Sequence, residues 1–158
     1  MRTPKIYLET TMFNFYLDTD RDAHADTVKL FAEIQDGKYE AYTSRTVIEE
    51  IEKTLGDKKG KMLDVIAKYD LPILETSVEA ENLADVYIAE GVIPVKYRTD
   101  GLHIAIAAVN DLDMIISMNF QHIVKRKTVK MTAVINSLRG YRVVEIYSPM
   151  EVTSYEDS

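Results

Sequence analysis

Asp100-Gly101-Leu102-His103-Ile104-Ala105-Ile106-Ala107-Ala108-Val109, then Asn110-Asp111-Leu112-Asp113, then Met114-Ile115-Ile116-Ser117: this stretch decides the fold class. From Leu102 to Val109 the chain is apolar on every side of a helical wheel, and a helix that is apolar all round is a buried one. The β-branched run Met114–Ser117, bounded by Asp113 and Asn119, predicts a strand. A buried helix leading directly into an apolar strand is half of a βαβ crossover, the unit of a parallel sheet covered on both faces.

The same alternation extends outward in both directions. Lys5–Leu8, Tyr39–Thr43, Pro72–Leu74 and Val143–Tyr147 read as further strands. Between them lie helical stripes: Val28, Phe31 and Ile34 stopping at Gly37; Val47, Ile48, Ile51 and Leu55 stopping at Gly56; Met62, Leu63, Val65 and Ile66; and Val129–Leu138 stopping at Gly140. Thr76 and Glu79 stand in capping-box spacing before Leu83, Val86 and Tyr87, and Gly91 closes that helix. The expectation is an α/β chain with a mostly parallel central sheet.

At 158 residues the chain suits one domain, expected over 1–150, with an acidic flexible tail over 151–158. It has no cysteine, which excludes disulfides, thiolate metal sites and cysteine nucleophiles. Acids outnumber bases 26 to 19, and the net charge of −7 argues against a polyanion binder held by bulk charge. Glu9 interrupts the apolar run Ile6-Tyr7-Leu8, so no signal peptide is expected. The run Ile104–Val109 is far short of the roughly 20 residues that span a bilayer. A cytoplasmic protein without a membrane partner is therefore expected.

In parallel sheets ligands bind beyond the carboxyl ends of the strands. The residues that follow the predicted strands are Glu9-Thr10-Thr11, Ser44 with Glu49, Glu50 and Glu52 beyond it, and Asn119, while Asp100 opens the buried helix. Oxygen donors without thiols suit a hard cation such as Mg²⁺ or Mn²⁺. Each residue also has an ordinary reading. Glu9 can be a loop carboxylate, and Asp100 can be a first-turn acid favoured by about 0.3–1 kcal/mol. The three glutamates can form a solvated helix face; Glu52 lies ~85° and Glu50 ~115° from the apolar centre, so periodicity does not choose. The basic group Lys125, Arg126, Lys127 and Lys130 reads equally as a phosphate-facing patch or a solvated loop. His24, His103 and His122 share no ligand spacing, and His103 reads as a satisfied interior histidine. No P-loop, G-x-G-x-x-G, H-E-x-x-H or nucleophile elbow is present.

Four segments in order resemble the motifs of PIN-domain proteins. Ile6-Tyr7-Leu8-Glu9-Thr10-Thr11-Met12-Phe13-Asn14 is similar to the first. Ser44-Arg45-Thr46-Val47-Ile48-Glu49-Glu50-Ile51 is similar to the second, with Glu50 at the acidic position. Asp100-Gly101-Leu102-His103-Ile104-Ala105-Ile106-Ala107 resembles the third, the most specific of the four, and Ser117-Met118-Asn119-Phe120-Gln121-His122-Ile123 the fourth. The likeness runs from Lys5 to about Pro149.

The resemblance implies an α/β/α sandwich and a Mg²⁺- or Mn²⁺-dependent ribonuclease that leaves a 5′-phosphate and a 3′-hydroxyl. It implies Glu9, Glu50 and Asp100 as catalytic metal ligands, with Asn119 at the fourth position. Thr10, Thr11 and Ser44 are candidates for orienting ligand carboxylates, and Arg45, Lys125, Arg126, Lys127 and Lys130 for steering RNA. Many small members are toxins, so an antitoxin protein and a second copy of the chain join RNA as expected partners. A degenerate domain that binds RNA or protein without cutting is the alternative. Two departures bear on that choice: the usual aspartates of the first and fourth motifs are Glu9 and Asn119 here. The extra methylene of Glu9 moves its carboxylate outward, and Asn119 neutralises no charge.

Overall fold

The computed structural model describes residues 2–154. Five strands form one parallel sheet: β1 (Lys5–Leu8), β2 (Glu40–Ser44), β3 (Ile73–Leu74), β4 (Met114–Ile116) and β5 (Glu145–Tyr147), in the order β3-β2-β1-β4-β5. The central strand is β1, where Tyr7 pairs with Tyr42 on one side and Ile115 on the other. Ile6, Tyr7 and Leu8 are all fully buried, as a strand covered on both faces requires.

The helices are α1 (Thr10–Leu17), α2 (His24–Gln35), α3 (Arg45–Glu52), α4 (Lys58–Lys68), α5 (Val78–Ala89), α6 (Arg98–Val109), α7 (Arg126–Leu138) and α8 (Pro149–Ser154), with a 3-10 turn at Val95–Tyr97 leading into α6. They pack as two groups. In one, α1 lies on α2, α3 and α4, and α8 lies on α2; in the other, α5 lies along α6. These are the outer layers of the expected α/β/α sandwich. Among the described residues no helix is long and apolar enough to cross a membrane.

The α1 side of the core is aromatic. Phe31 stands 4.8 Å from both the Tyr16 and Tyr69 rings and 6.1 Å from Phe13, all in edge or tilted geometry. Such pairs contribute about 0.5–1.5 kcal/mol each beyond the area they bury. The buried helix foreseen after Asp100 is α6, in which Gly101 through Ala108 are all buried.

Local readings shift in five places. Helix α1 has no counterpart in the sequence reading, because Met12 and Phe13 pass as the continuation of a strand motif. In α2 the buried stripe is Thr27, Leu30 and Phe31, and Val28 is exposed. Helix α3 ends at Glu52, which leaves Leu55 outside it and 92% exposed. The cap of α5 is Ser77, whose hydroxyl accepts from the Ala80 N–H at 3.1 Å; Thr76 bonds the Thr46 hydroxyl instead. At the other end of that helix Gly91 takes a positive φ of 75°, and the next N–H, of Val92, returns to the Tyr87 carbonyl at 2.9 Å. Helix α8 carries ordered structure past residue 150, with Val152 and Thr153 buried. Residues 155–158 of the expected tail lie outside the described residues.

Candidate metal centre

In the order β3-β2-β1-β4-β5 the chain reverses direction of travel between β1 and β4, and the crevice at that reversal opens at the strands' carboxyl ends. Glu9 is the first residue past β1. Its N–H bonds the Ile116 carbonyl at 3.2 Å, so it continues the ladder toward β4. Its backbone occupies the N-cap position of α1, but its side chain does not cap the helix. Instead Oε1 accepts the Thr11 hydroxyl at 2.6 Å and the Ser117 hydroxyl at 2.5 Å. The residue is only 3% exposed. Burial pushes its pKa up, and the nearby His103 and the two hydroxyls offset only part of that rise.

Both hydroxyls also fasten the loop after β4. Thr11 Oγ1 accepts the Met118 N–H at 2.8 Å, and Ser117 Oγ accepts the Asn119 N–H at 2.9 Å. Ser117 has a defined role here that strand position alone did not reveal.

On α3, Glu49 and Glu52 face solvent and Glu50 turns inward, which settles the choice that periodicity left open. Glu50 Oε1 accepts the Thr10 hydroxyl at 2.5 Å and faces His103 Nε2 at 2.6 Å. Burial would raise its pKa, but the His103 hydrogen bond and charge, with the Thr10 bond, hold it below the ordinary carboxylate value. His103 is fully buried on α6, and its Nδ1 lies 2.6 Å from the Tyr7 hydroxyl. Burial pulls the His103 pKa down, yet the Glu50 bond and the charges of Glu50, Glu9 and Asp100 carry it above its usual value. It is thus an interior histidine satisfied at both nitrogens, and one of those partners is a candidate ligand.

Asp100 stands three residues before His103, on the same face of α6. It lies in the first turn and does not cap the helix, whose N-cap position is Tyr97. Burial raises its pKa, against the opposing pull of His103, of an Asn119 hydrogen bond and of His122. Asn119 Oδ1 accepts the N–H groups of Gln121 at 3.2 Å and His122 at 3.0 Å, which leaves its NH₂ to face Asp100. The carbonyl oxygen, the one atom through which Asn119 could ligate, is therefore already engaged.

Among the described residues, Glu9, Glu50 and His103 form a group whose potential ligand atoms all lie within 4.8 Å of one another. Asp100 stands outside this trio and shares its field: the Glu50 charge raises the Asp100 pKa further. Thr10 and Thr11 each hold one of the carboxylates. Ser44 holds none. Its Oγ accepts the Val47 N–H at 3.1 Å as the N-cap of α3 and lies 2.7 Å from the Tyr7 hydroxyl.

Arg45 is exposed and pairs with Glu75 at 3.3 Å. Lys125, Arg126, Lys127 and Lys130 are exposed around the start of α7. Lys125 and Lys127 share a cavity of about 390 Å³ with His122. The His122 ring stacks on Tyr97 with centroids 4.1 Å apart. A cavity of about 620 Å³ between α5 and α7, lined by Val86, Glu90, Lys130, Met131, Val134 and Leu138, includes none of Glu9, Glu50 and Asp100.

No protein-family model matches the sequence, and no curated protein matches it either. Solved structures do. VapBC2 from Rickettsia felis, crystallised bound to a DNA fragment from their promoter, matches at 12% identity with a TM-score of 0.56, over 91% of this chain and 98% of that one. VapC20 of Mycobacterium tuberculosis, described as a sarcin–ricin-loop-cleaving toxin, matches at 12% identity with a TM-score of 0.59, over 89% of this chain and 98% of that one. At this identity the likeness is one of fold, and it agrees with the PIN-like α/β/α architecture that the four motifs implied.

Proposed function

We propose that this PIN-fold chain is a divalent-metal-dependent ribonuclease and the toxin of a toxin–antitoxin pair. The observation that carries the reading is the meeting of Glu9 and Glu50, 41 positions apart in sequence, at the β1/β4 crevice, with Asp100 coupled to Glu50 by charge. The donor set suits the ion: carboxylate oxygens, no thiol, and two acids whose burial leaves their charge under-compensated. Glu9, Glu50 and Asp100 are the proposed ligands of Mg²⁺ or Mn²⁺. Such an ion supplies Lewis-acid polarisation of a phosphodiester and a lowered pKa for an attacking water.

The protein's own contribution is orientation. Thr11 and Ser117 hold the Glu9 carboxylate, which offsets the extra freedom of a side chain one methylene longer than aspartate. Thr10 holds Glu50. Asn119 is the proposed partner that directs Asp100, in place of a fourth charged ligand. Lys125, Arg126, Lys127 and Lys130 are proposed to attract the RNA backbone, with Arg45 joining them on release from Glu75. On a chain of net charge −7, such local attraction gives modest, strongly salt-dependent affinity. An antitoxin protein, a second copy of the chain and a cytoplasmic setting complete the reading.

The test combines binding with cleavage. Mn²⁺ at a hundredfold excess over its Kd should stabilise the protein by about 2.7 kcal/mol, a rise of about 5–10 °C in Tm for a chain of this size. RNA cleavage should require the metal and vanish in Glu50→Gln. A metal-induced shift without cleavage of any RNA would favour the non-cutting, binding domain; no shift at all would remove the metal centre.

A further inference from the structure

His103 belongs to a ligand-like cluster with Glu9 and Glu50, yet its hydrogen-bond directions give it another task. Ser44 Oγ accepts the Val47 N–H, so the Ser44 proton is free to point at the Tyr7 oxygen, 2.7 Å away. The Tyr7 hydroxyl then donates to His103 Nδ1 at 2.6 Å, and the remaining ring proton sits on Nε2, facing Glu50 Oε1 at 2.6 Å. If the ring is doubly protonated the first two bonds reverse, but Nε2 still carries a proton toward Glu50. A bare Nε2 would set lone pair against lone pair, since the carboxylate opposite has no proton to give. In both arrangements the Nε2 lone pair is unavailable to a cation.

We infer that His103 is a positioning residue for Glu50, oriented by the Ser44–Tyr7 pair, and that it is not itself a metal ligand. The inference rests on the metal-centre reading above and deepens it. Ligation through Nε2 would require the ring to lose that proton and break its Glu50 bond, while it is fully buried and tied at Nδ1. Two donors, from Thr10 and His103, converge on Glu50 Oε1 and fix the plane of the carboxylate, while Oε2 carries neither bond. The donor set that meets the ion is then all oxygen, which favours Mg²⁺ or Mn²⁺ over the borderline metals that an imidazole ligand would bring. Residues that orient a ligand in this way typically change metal affinity 10- to 100-fold when removed.

The experiment uses Mn²⁺ alone as the probe. Pulsed electron paramagnetic resonance of Mn²⁺-loaded wild type should show no directly coordinated ¹⁴N. In titrations, His103→Leu should weaken Mn²⁺ binding by about 10- to 100-fold. His103→Gln, whose amide N–H can reach Glu50 in place of Nε2–H, should recover most of that loss. A coordinated-¹⁴N signal that disappears in H103Q would make His103 a ligand and overturn the inference while leaving the metal centre standing. Unchanged affinity in H103L would also overturn it, by showing that Glu50 needs no such support. Wild type that takes up no Mn²⁺ would remove the metal-centre reading and this inference together, an outcome separable from the others because no bound-Mn²⁺ spectrum exists. Should H103L not fold, the wild-type spectrum and the affinity of H103Q decide.

Discussion

Asp100 carries a conflict between function and stability. Burial holds its pKa up, and the Glu50 charge adds to that. An acid whose folded pKa is raised costs stability progressively as pH rises from its unfolded value to its folded one, and the cost is complete above the latter. Against this stands the helix N-terminus, which favours a first-turn carboxylate by about 0.3–1 kcal/mol, and by up to ~2 when partly buried. Asp100 supplies no cap, but Asp100→Asn forfeits this charge–dipole attraction and the pull of His103 and His122; burial and the Glu50 charge outweigh them, as the raised pKa shows. We expect the variant to melt at the same temperature as wild type or higher in EDTA, and to lose the Mn²⁺-induced shift and any cleavage. A variant clearly less stable in EDTA that keeps its Mn²⁺ shift would make Asp100 a structural acid. At this scale the sequence was half legible. Position past a strand end marked Glu9, the start of the buried helix marked Asp100, and the motif marked Glu50. The task of His103 was hidden, because its partner Tyr7 lies 96 residues away and nothing in an all-apolar helix signals such a pairing.

The orientation of Asp100 depends in turn on how closely α6 lies against α5, and Gly101 sets that approach. A Cβ there would stand 3.3 Å from Ile93 Cδ1 and 3.5 Å from Tyr87 Cδ2. Neither neighbour has much freedom. Ile93 is 1% exposed, and the Tyr87 hydroxyl is anchored to Asn136 Oδ1 at 2.5 Å. Alanine gains about 0.8–1 kcal/mol of helix propensity over glycine, enough to offset one tight methyl contact. Gly101→Ala should therefore stay within about 1 kcal/mol of wild type in urea unfolding, whereas Gly101→Val should lose about 1–3 kcal/mol through overpacking. Valine tolerated without loss would mean that the two helices have slack between them. Elements were readable where one period dominated, as in β1, β4 and α6. They were misread where a few residues decide: α1 is eight residues long and directly follows a strand, and the α5 cap moved one position because Thr76 had a better partner in Thr46.

Across the whole molecule the two edges of the sheet have opposite electrostatics. The carboxyl edge gathers Glu9 and Asp100, whose raised pKa values mean that their charges cost stability. The amino edge is fastened by Asp113, at the entry to β4. Its Oδ1 accepts from Arg2 at 2.6 Å and from Arg142, and its Oδ2 from the Lys5 N–H at 2.7 Å. Its backbone exchanges bonds with Lys5 and Glu145, so one residue ties the entries of β1, β4 and β5. This long-range arrangement was not legible in the sequence, where Asp113 reads as a strand boundary: the alternation of helices and strands implied a parallel sheet but not the β1–β4 pairing that brings Lys5 beside it. Burial alone would raise the Asp113 pKa, but the Arg2 hydrogen bond, the Lys5 N–H and the Arg142 charge hold it below the usual aspartate value. A depressed folded pKa gives stability that is present above the unfolded value near 3.9 and is lost as pH falls through the folded one. Asp113→Asn should therefore cost about 1–2 kcal/mol at pH 7, discounted because Arg2 and Arg142 are 55% and 38% exposed. The gap to wild type should narrow as pH falls below the unfolded value near 3.9 and close as pH passes through the depressed folded one. Urea unfolding of both proteins at pH 7 and pH 3 measures it. An equal deficit at both values would mean that Asp113 acts through shape and hydrogen-bond geometry and that its charge contributes nothing.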